Sequence, residues 1–118
     1  RSGTGVKHEA AAIRAELEPV LAEMLKVVVP YAGDYSFAVE GHTDWNPVKG
    51  GGVFGSNWEL SSARAIVVRD RLEHVGVGRG QIRIEGYADT KRLPEPVLAG
   101  LSDDERLARH RRVVVRIY

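Results

Sequence analysis

Apolar residues recur at spacings of three and four through Ile13, Leu17, Val20, Leu21, Met24, Leu25 and Val28, a single stripe that predicts a helix beginning at His8. Pro19 sits inside the stripe. A proline there removes one backbone bond and crowds the carbonyl four residues back, so a kinked helix is expected, ended by Pro30 and Gly33. Residues 1–7, rich in Ser and Gly, are expected to be loose. The period then falls to two. Tyr35, Phe37 and Val39 alternate with Ser36, Ala38 and Glu40, a half-buried strand that stops at Gly41. Beyond a loop with Pro47 and the run Gly50-Gly51-Gly52, Ser56 to Glu59 forms a capping-box pattern, in which hydroxyl and carboxylate satisfy each other's free backbone donors. Leu60, Ala63, Val67, Arg71 and Leu72 trace a helix face from there to His74, and Gly76 is the stop. Ile82 and Ile84 mark a second strand ended by Gly86, and residues 87–100 read as loop. Ser102 to Glu105 is a second capping box that opens a short helix to His110, acidic at its start and basic at its end. Val113, Val115 and Ile117 form a closing strand.

This order predicts an α+β domain: a βαβαβ-type mixed sheet with two long helices on one face and a short third helix before the last strand. At 118 residues the chain is one domain, residues 1–118. Three strands are few for two long helices, so a strand upstream of Arg1 is expected to belong to the sheet. Composition adds mainly exclusions. With 43% apolar and 28% charged residues a core is possible, and a formal charge of +1 argues against a nucleic-acid surface. No run approaches the roughly 18 apolar residues of a membrane helix. No secretory signal opens the chain, and its start reads as the interior of a longer protein. Cys is absent, which leaves only His, Asp and Glu as metal ligands. The loop from Trp45 to Gly55 is expected to be the most mobile part.

Asp44 leaves the first strand just before this loop, and Arg64 lies about two turns into the helix that follows it. Such a pair admits two readings: an internal salt bridge, or a carboxylate and a guanidinium placed for a zwitterionic ligand. The spacing His42-x-Asp44 invites a metal reading but lacks recognisable ligand spacing, and no nucleophile elbow is present. Trp45 and Trp58 could stack on a ligand or pack half-buried. Arg109 to Arg112 either complements a helix dipole or turns one Arg inward to hold an anionic group or order the loop after Asp44.

Four separated motifs together resemble a known family. Gly41-His42-Thr43-Asp44, NWELSSARA at Asn57 to Ala65, Gly86-Tyr87-Ala88-Asp89, and RRVVVRI at Arg111 to Ile117 resemble the OmpA-like C-terminal domain over residues 8–118, most closely its MotB branch. The resemblance implies a non-catalytic periplasmic module without metal or cofactor, which binds the peptidoglycan stem peptide and anchors a membrane protein to the cell wall. The alternative is a protein-interaction or dimerisation module of an envelope complex such as a flagellar stator, with a homodimer as its arrangement. Nucleic acid is not an expected partner, and a membrane is reached only through parts of the parent protein outside this chain. In the family the Asp of the first motif takes the ammonium of the diamino acid, usually diaminopimelate, and the Arg of the second takes its carboxylate. These roles fall on Asp44 and Arg64. Thr43, Asn57, Leu60 and Ser61 match positions lining the same pocket. The family's closing Asn-Arg-Arg falls on His110, Arg111 and Arg112, so Arg111 keeps its match and His110 replaces the Asn. The family's first strand, with its Phe-rich motif, is absent from these residues, and the stretch from Lys91 to Arg109 is more acidic than usual.

Overall fold

The long apolar stripe becomes helix α1 (Gly3–Val28) in a computed structural model that describes residues 3–48 and 54–118, with side chains from residue 11 onward. The three-glycine run, and with it the expectation of a mobile loop there, lies outside the described residues. Residues 3–7, expected to be loose, are the first turns of α1: glycine weakens a helix by only about 1 kcal/mol per residue, and no proline stops the chain here. The helix runs unbroken through Pro19. Ile13, Leu17, Leu21 and Val28 are its buried line, whereas Val20, expected within the stripe, is 61% exposed. One residue turns a helix by about 100°, so Val20 and Leu21 cannot both face the core.

Strands β1 (Phe37–Gly41), β2 (Ile82–Gly86) and β3 (Val113–Ile117) form a sheet of order β2-β1-β3. β1 runs parallel to β2 and antiparallel to β3. Tyr35 falls short of β1, and the expected alternation of burial fails there: Phe37, Ala38 and Val39 are all fully buried. The central strand has neighbours on both sides, and Ala38 lies in register between Arg83 and Arg116. Those long side chains spread over the outer face, where Arg83 meets Glu85 at 2.9 Å and Arg116 bridges Glu40 (2.6 Å) and Glu85 (3.0 Å).

On the other face, helix α2 (Asn57–His74) rests on β1 and β2, and α1 packs against α2. The core joins Leu21 of α1, Phe37 and Val39 of β1, and Val68 and Leu72 of α2. The buried face of α2 is Ser61, Arg64, Ala65, Val67, Val68 and Leu72, rotated from the face that hydrophobicity traced, because two of its members are polar. This face lies unusually close to the sheet. A Cβ on Gly41 would stand 1.8 Å from the Ser61 carbonyl oxygen, and one on Gly86 would stand 2.2 Å from Ser62 Oγ. Only glycine permits that approach. Ser56 caps α2, but Glu59 reaches back to the Gly55 N–H (2.6 Å) instead of closing the expected box on Ser56. At the far end Val77 N–H bonds the Leu72 carbonyl and Gly76 N–H that of Glu73, with Gly76 at φ +107°, the left-handed ending that glycine favours. The stretch read as loop holds one turn of helix, α3 (Glu95–Leu98), because Pro94 and Pro96 stand at its start, where a missing N–H costs nothing. Helix α4 (Asp103–His110) opens with a complete capping box between Ser102 and Glu105.

Candidate ligand-binding site

The parallel strands β1 and β2 end together, and side chains at such carboxyl ends face a natural binding crevice. Gly41 pairs with Gly86, His42 stacks on Tyr87 with ring centroids 5.4 Å apart, and Thr43 N–H donates to the Ala88 carbonyl at 2.9 Å. The two Gly-x-x-Asp motifs therefore leave the sheet in register, and they carry Asp44 and Asp89 out at equivalent positions. Ala88 adopts φ +54°, and its N–H donates to Ser61 Oγ at 3.0 Å. Ser61 is fully buried and donates in turn to the Trp58 carbonyl, so it ties α2 to the strand exit from beneath.

Asp44 is held on both oxygens. Oδ1 accepts the Asn46 N–H (3.0 Å) and Oδ2 accepts Arg111 Nη1 (2.7 Å), with the Asp44 side chain 13% exposed. Of the four basic residues before β3, Arg111 is thus the one turned onto Asp44, while Arg112 donates to the carbonyls of Lys91 and His110. Thr43 is buried, its hydroxyl donating to the Asp44 carbonyl. Asn57 donates to the Asn46 carbonyl and so pins the start of α2 to the loop after Asp44. Leu60 is half-buried against the core. Arg64 is 4% exposed, with Nη1 2.8 Å from Glu16 Oε1 of α1. That contact is out of hydrogen-bond alignment, so Nε and Nη1 are both buried without an acceptor. The internal salt bridge between Asp44 and Arg64 does not form: each carries a different partner.

A groove of about 400 Å³ adjoins Asp44, lined by Trp45, Val48, Asn57, Trp58 and Asp89 among others. Trp58 is 55% exposed on it. Trp45 is half-buried, with the Arg92 guanidinium 4.2 Å above its ring and His110 edge-on at 5.0 Å. His110 is buried, accepts the Leu93 N–H on Nε2 (3.1 Å) and donates Nδ1–H to the Arg106 carbonyl (2.7 Å). A neutral imidazole thereby fastens the loop before α3 to α4. His42 meets Glu40 (3.2 Å), and among the described residues no three His, Asp or Glu side chains converge as metal ligands. Burial, reinforced by the Arg112 charge, holds the His42 imidazole below its ordinary pKa. Glu16 and Asp89 went unassigned in the sequence. The equivalence of the two Gly-x-x-Asp motifs was a signal for Asp89, whereas nothing in the spacing of Glu16 pointed to Arg64.

The OmpA family description matches residues 7–99, which include Asp44, Asn57, Arg64 and Asp89. The chain belongs to the OmpA family. Motility protein B of Escherichia coli (strain K12) is 34% identical over 84 residues, a match covering 69% of this chain and 27% of that protein. The chain thus corresponds to about a quarter of that relative's length. The C-terminal domain of Helicobacter pylori MotB shares the fold, with a TM-score of 0.66 at 23% identity over 84% of this chain and 70% of that one. The cell wall anchor of the T6SS from Pseudomonas aeruginosa superposes with a TM-score of 0.65 at 31% identity, covering 85% and 64% of the two chains. In this OmpA-family domain Arg111 lies beyond the matched residues, and its place at the site rests on its bond to Asp44.

Proposed function

We propose that this domain binds the peptide stem of peptidoglycan in the periplasm, without catalysis, and so anchors its parent protein to the cell wall. Asp44 receives the ammonium of a diamino acid such as diaminopimelate, and Arg64 receives its carboxylate. The observation that carries this is the Arg64 guanidinium, almost wholly buried, with Nε lacking an acceptor and Nη1 met only by the poorly aligned Glu16 carboxylate. A buried charge left short of hydrogen bonds is costly, and a ligand carboxylate that engages the fork through two parallel bonds removes the deficit. Asp44 keeps capacity for a guest: an ionised carboxylate has about four lone-pair sites, and Arg111 and Asn46 occupy one on each oxygen. Thr43, Asn57 and Arg111 fix the Asp44 loop, Ser61 and Leu60 support it from α2, and the Trp58 groove takes the rest of the stem. The name of the Pseudomonas aeruginosa relative, a cell wall anchor, agrees with this assignment.

The test is co-sedimentation with purified sacculi. Asp44→Ala and Arg64→Ala should each weaken binding at least about thirtyfold, the lower end of what truncating one member of a buried charge pair costs. Wild-type sedimentation of both variants would remove this function.

A further inference from the structure

Among the described residues, two carboxylates of α1 reach arginines of α2, and they do so differently. Glu18 holds Arg71 Nη1 through both oxygens, at 2.8 and 3.1 Å, in good alignment. Two turns back along α2, Glu16 comes equally near Arg64 Nη1 (2.8 Å) yet makes no hydrogen bond, and Nε beside it is empty-handed. The Glu16 side chain is 43% exposed, so it approaches the buried guanidinium from the rim. A planar fork of five donors is best met face-on by two parallel bonds. Glu16 supplies counter-charge at short range and leaves those bonds unmade.

We propose that Glu16 stands in for the ligand's carboxylate in the free domain and is displaced when that carboxylate engages Arg64. This rests on the ligand-binding role of Arg64 given above. The exchange is anion for anion, so the buried guanidinium is never left without a counter-charge during binding. The displaced Glu16 swings outward into water, where its exposure already places part of it. Because Glu16 belongs to α1 and Arg64 to α2, occupation of the site releases one of the two ion pairs that, among the described residues, tie these helices together. By linkage, any force or contact that draws α1 away from α2 favours the ligand, and the ligand favours release of α1.

Calorimetric titration of the 118-residue chain with a synthetic stem tripeptide ending in meso-diaminopimelate tests this. Glu16→Gln should bind about two- to fivefold tighter than wild type, the range set by removing a partly exposed competing ion pair. Its thermal midpoint should at the same time stay level or fall. A residue that only props up the fold would lower both quantities together. Glu18→Gln, which removes the same charge from the neighbouring pair, should keep wild-type affinity. Wild-type or weaker affinity in Glu16→Gln overturns the proposal, as does equal tightening in Glu18→Gln. Should Glu16→Gln fail to fold, Glu16→Asp, which draws the carboxylate back by one methylene, should also bind more tightly, and unchanged affinity there overturns the proposal equally. Arg64→Met separates the two claims. If it abolishes binding while Glu16→Gln changes nothing, the function stands and the displacement falls; if it binds like wild type, both fall.

Discussion

At the scale of single residues, Arg64 carries the largest conflict between stability and use. It is buried in the same helix face as Ala65, Val68 and Leu72, where an apolar side chain would serve the core better. Replacing buried ion pairs by apolar residues of similar volume is often neutral or stabilising. Arg64→Met leaves Glu16 alone, but that carboxylate is 43% exposed and rehydrates, so the thermal midpoint should change little while the stem peptide is lost; calorimetry of unfolding beside a sacculus pull-down measures both. Arg64→Ala is a harsher change because it also empties the space filled by the arginine stem. His110 shows how little a substituted family residue reveals from sequence. In place of an amide, its imidazole joins Leu93 to Arg106, one turn back in the same helix, and packs edge-on against Trp45, far away in the chain.

At the scale of elements, the closeness of α2 to the ends of β1 and β2 positions the site, and glycines set that closeness. Gly41→Ala would force a methyl group against the Ser61 carbonyl, a backbone atom with no rotamer to yield. It should destabilise the domain by about 3 kcal/mol or more, as overpacking against rigid neighbours does, read as a lowered denaturant midpoint. Capping contributes less. Ser102→Ala removes one half of the closed box at α4 and should cost about 1 kcal/mol by the same measurement. The elements themselves were largely legible: β2, β3, α4 and the end of α2 lie where periodicity and caps put them. The misjudged burial in α2 and β1 has one cause. Polar residues on buried faces, Ser61 and Arg64 in α2, and an outer sheet face covered by arginines above Ala38, are invisible to a rule that equates burial with apolar side chains.

At the scale of the whole molecule, the outer sheet face makes stability depend on pH. The His42 imidazole is held below its ordinary value of 6.5 by burial and then by Arg112, so as pH falls past 6.5 the unfolded chain takes up the proton first. Stability should be level above that value and decline below it. Glu85 is held below its ordinary 4.5 by hydrogen bonds from Tyr87 and Arg83, so its contribution is present above that pH and is lost as pH falls further. Both act in one direction, giving an acid decline in two stages. Thermal midpoints recorded from about pH 2.5 to 8 should show the upper stage disappear in His42→Gln and the lower stage remain. At this scale too, the proposed wall ligand predicts avidity: a polymer presenting many stems would be held far more firmly by two linked domains than a free tripeptide by one.

The sequence by itself determined the family, the type and order of the main elements, and the candidacy of Asp44 and Arg64. Those features depend on local period, local caps and short motifs, all encoded in neighbouring residues. Tertiary structure alone decided that Asp44 meets Arg111, that Arg64 meets Glu16, and that Ser61 is fully buried against the Ala88 N–H. These contacts join residues far apart in the chain, which no local period, cap or short motif relates.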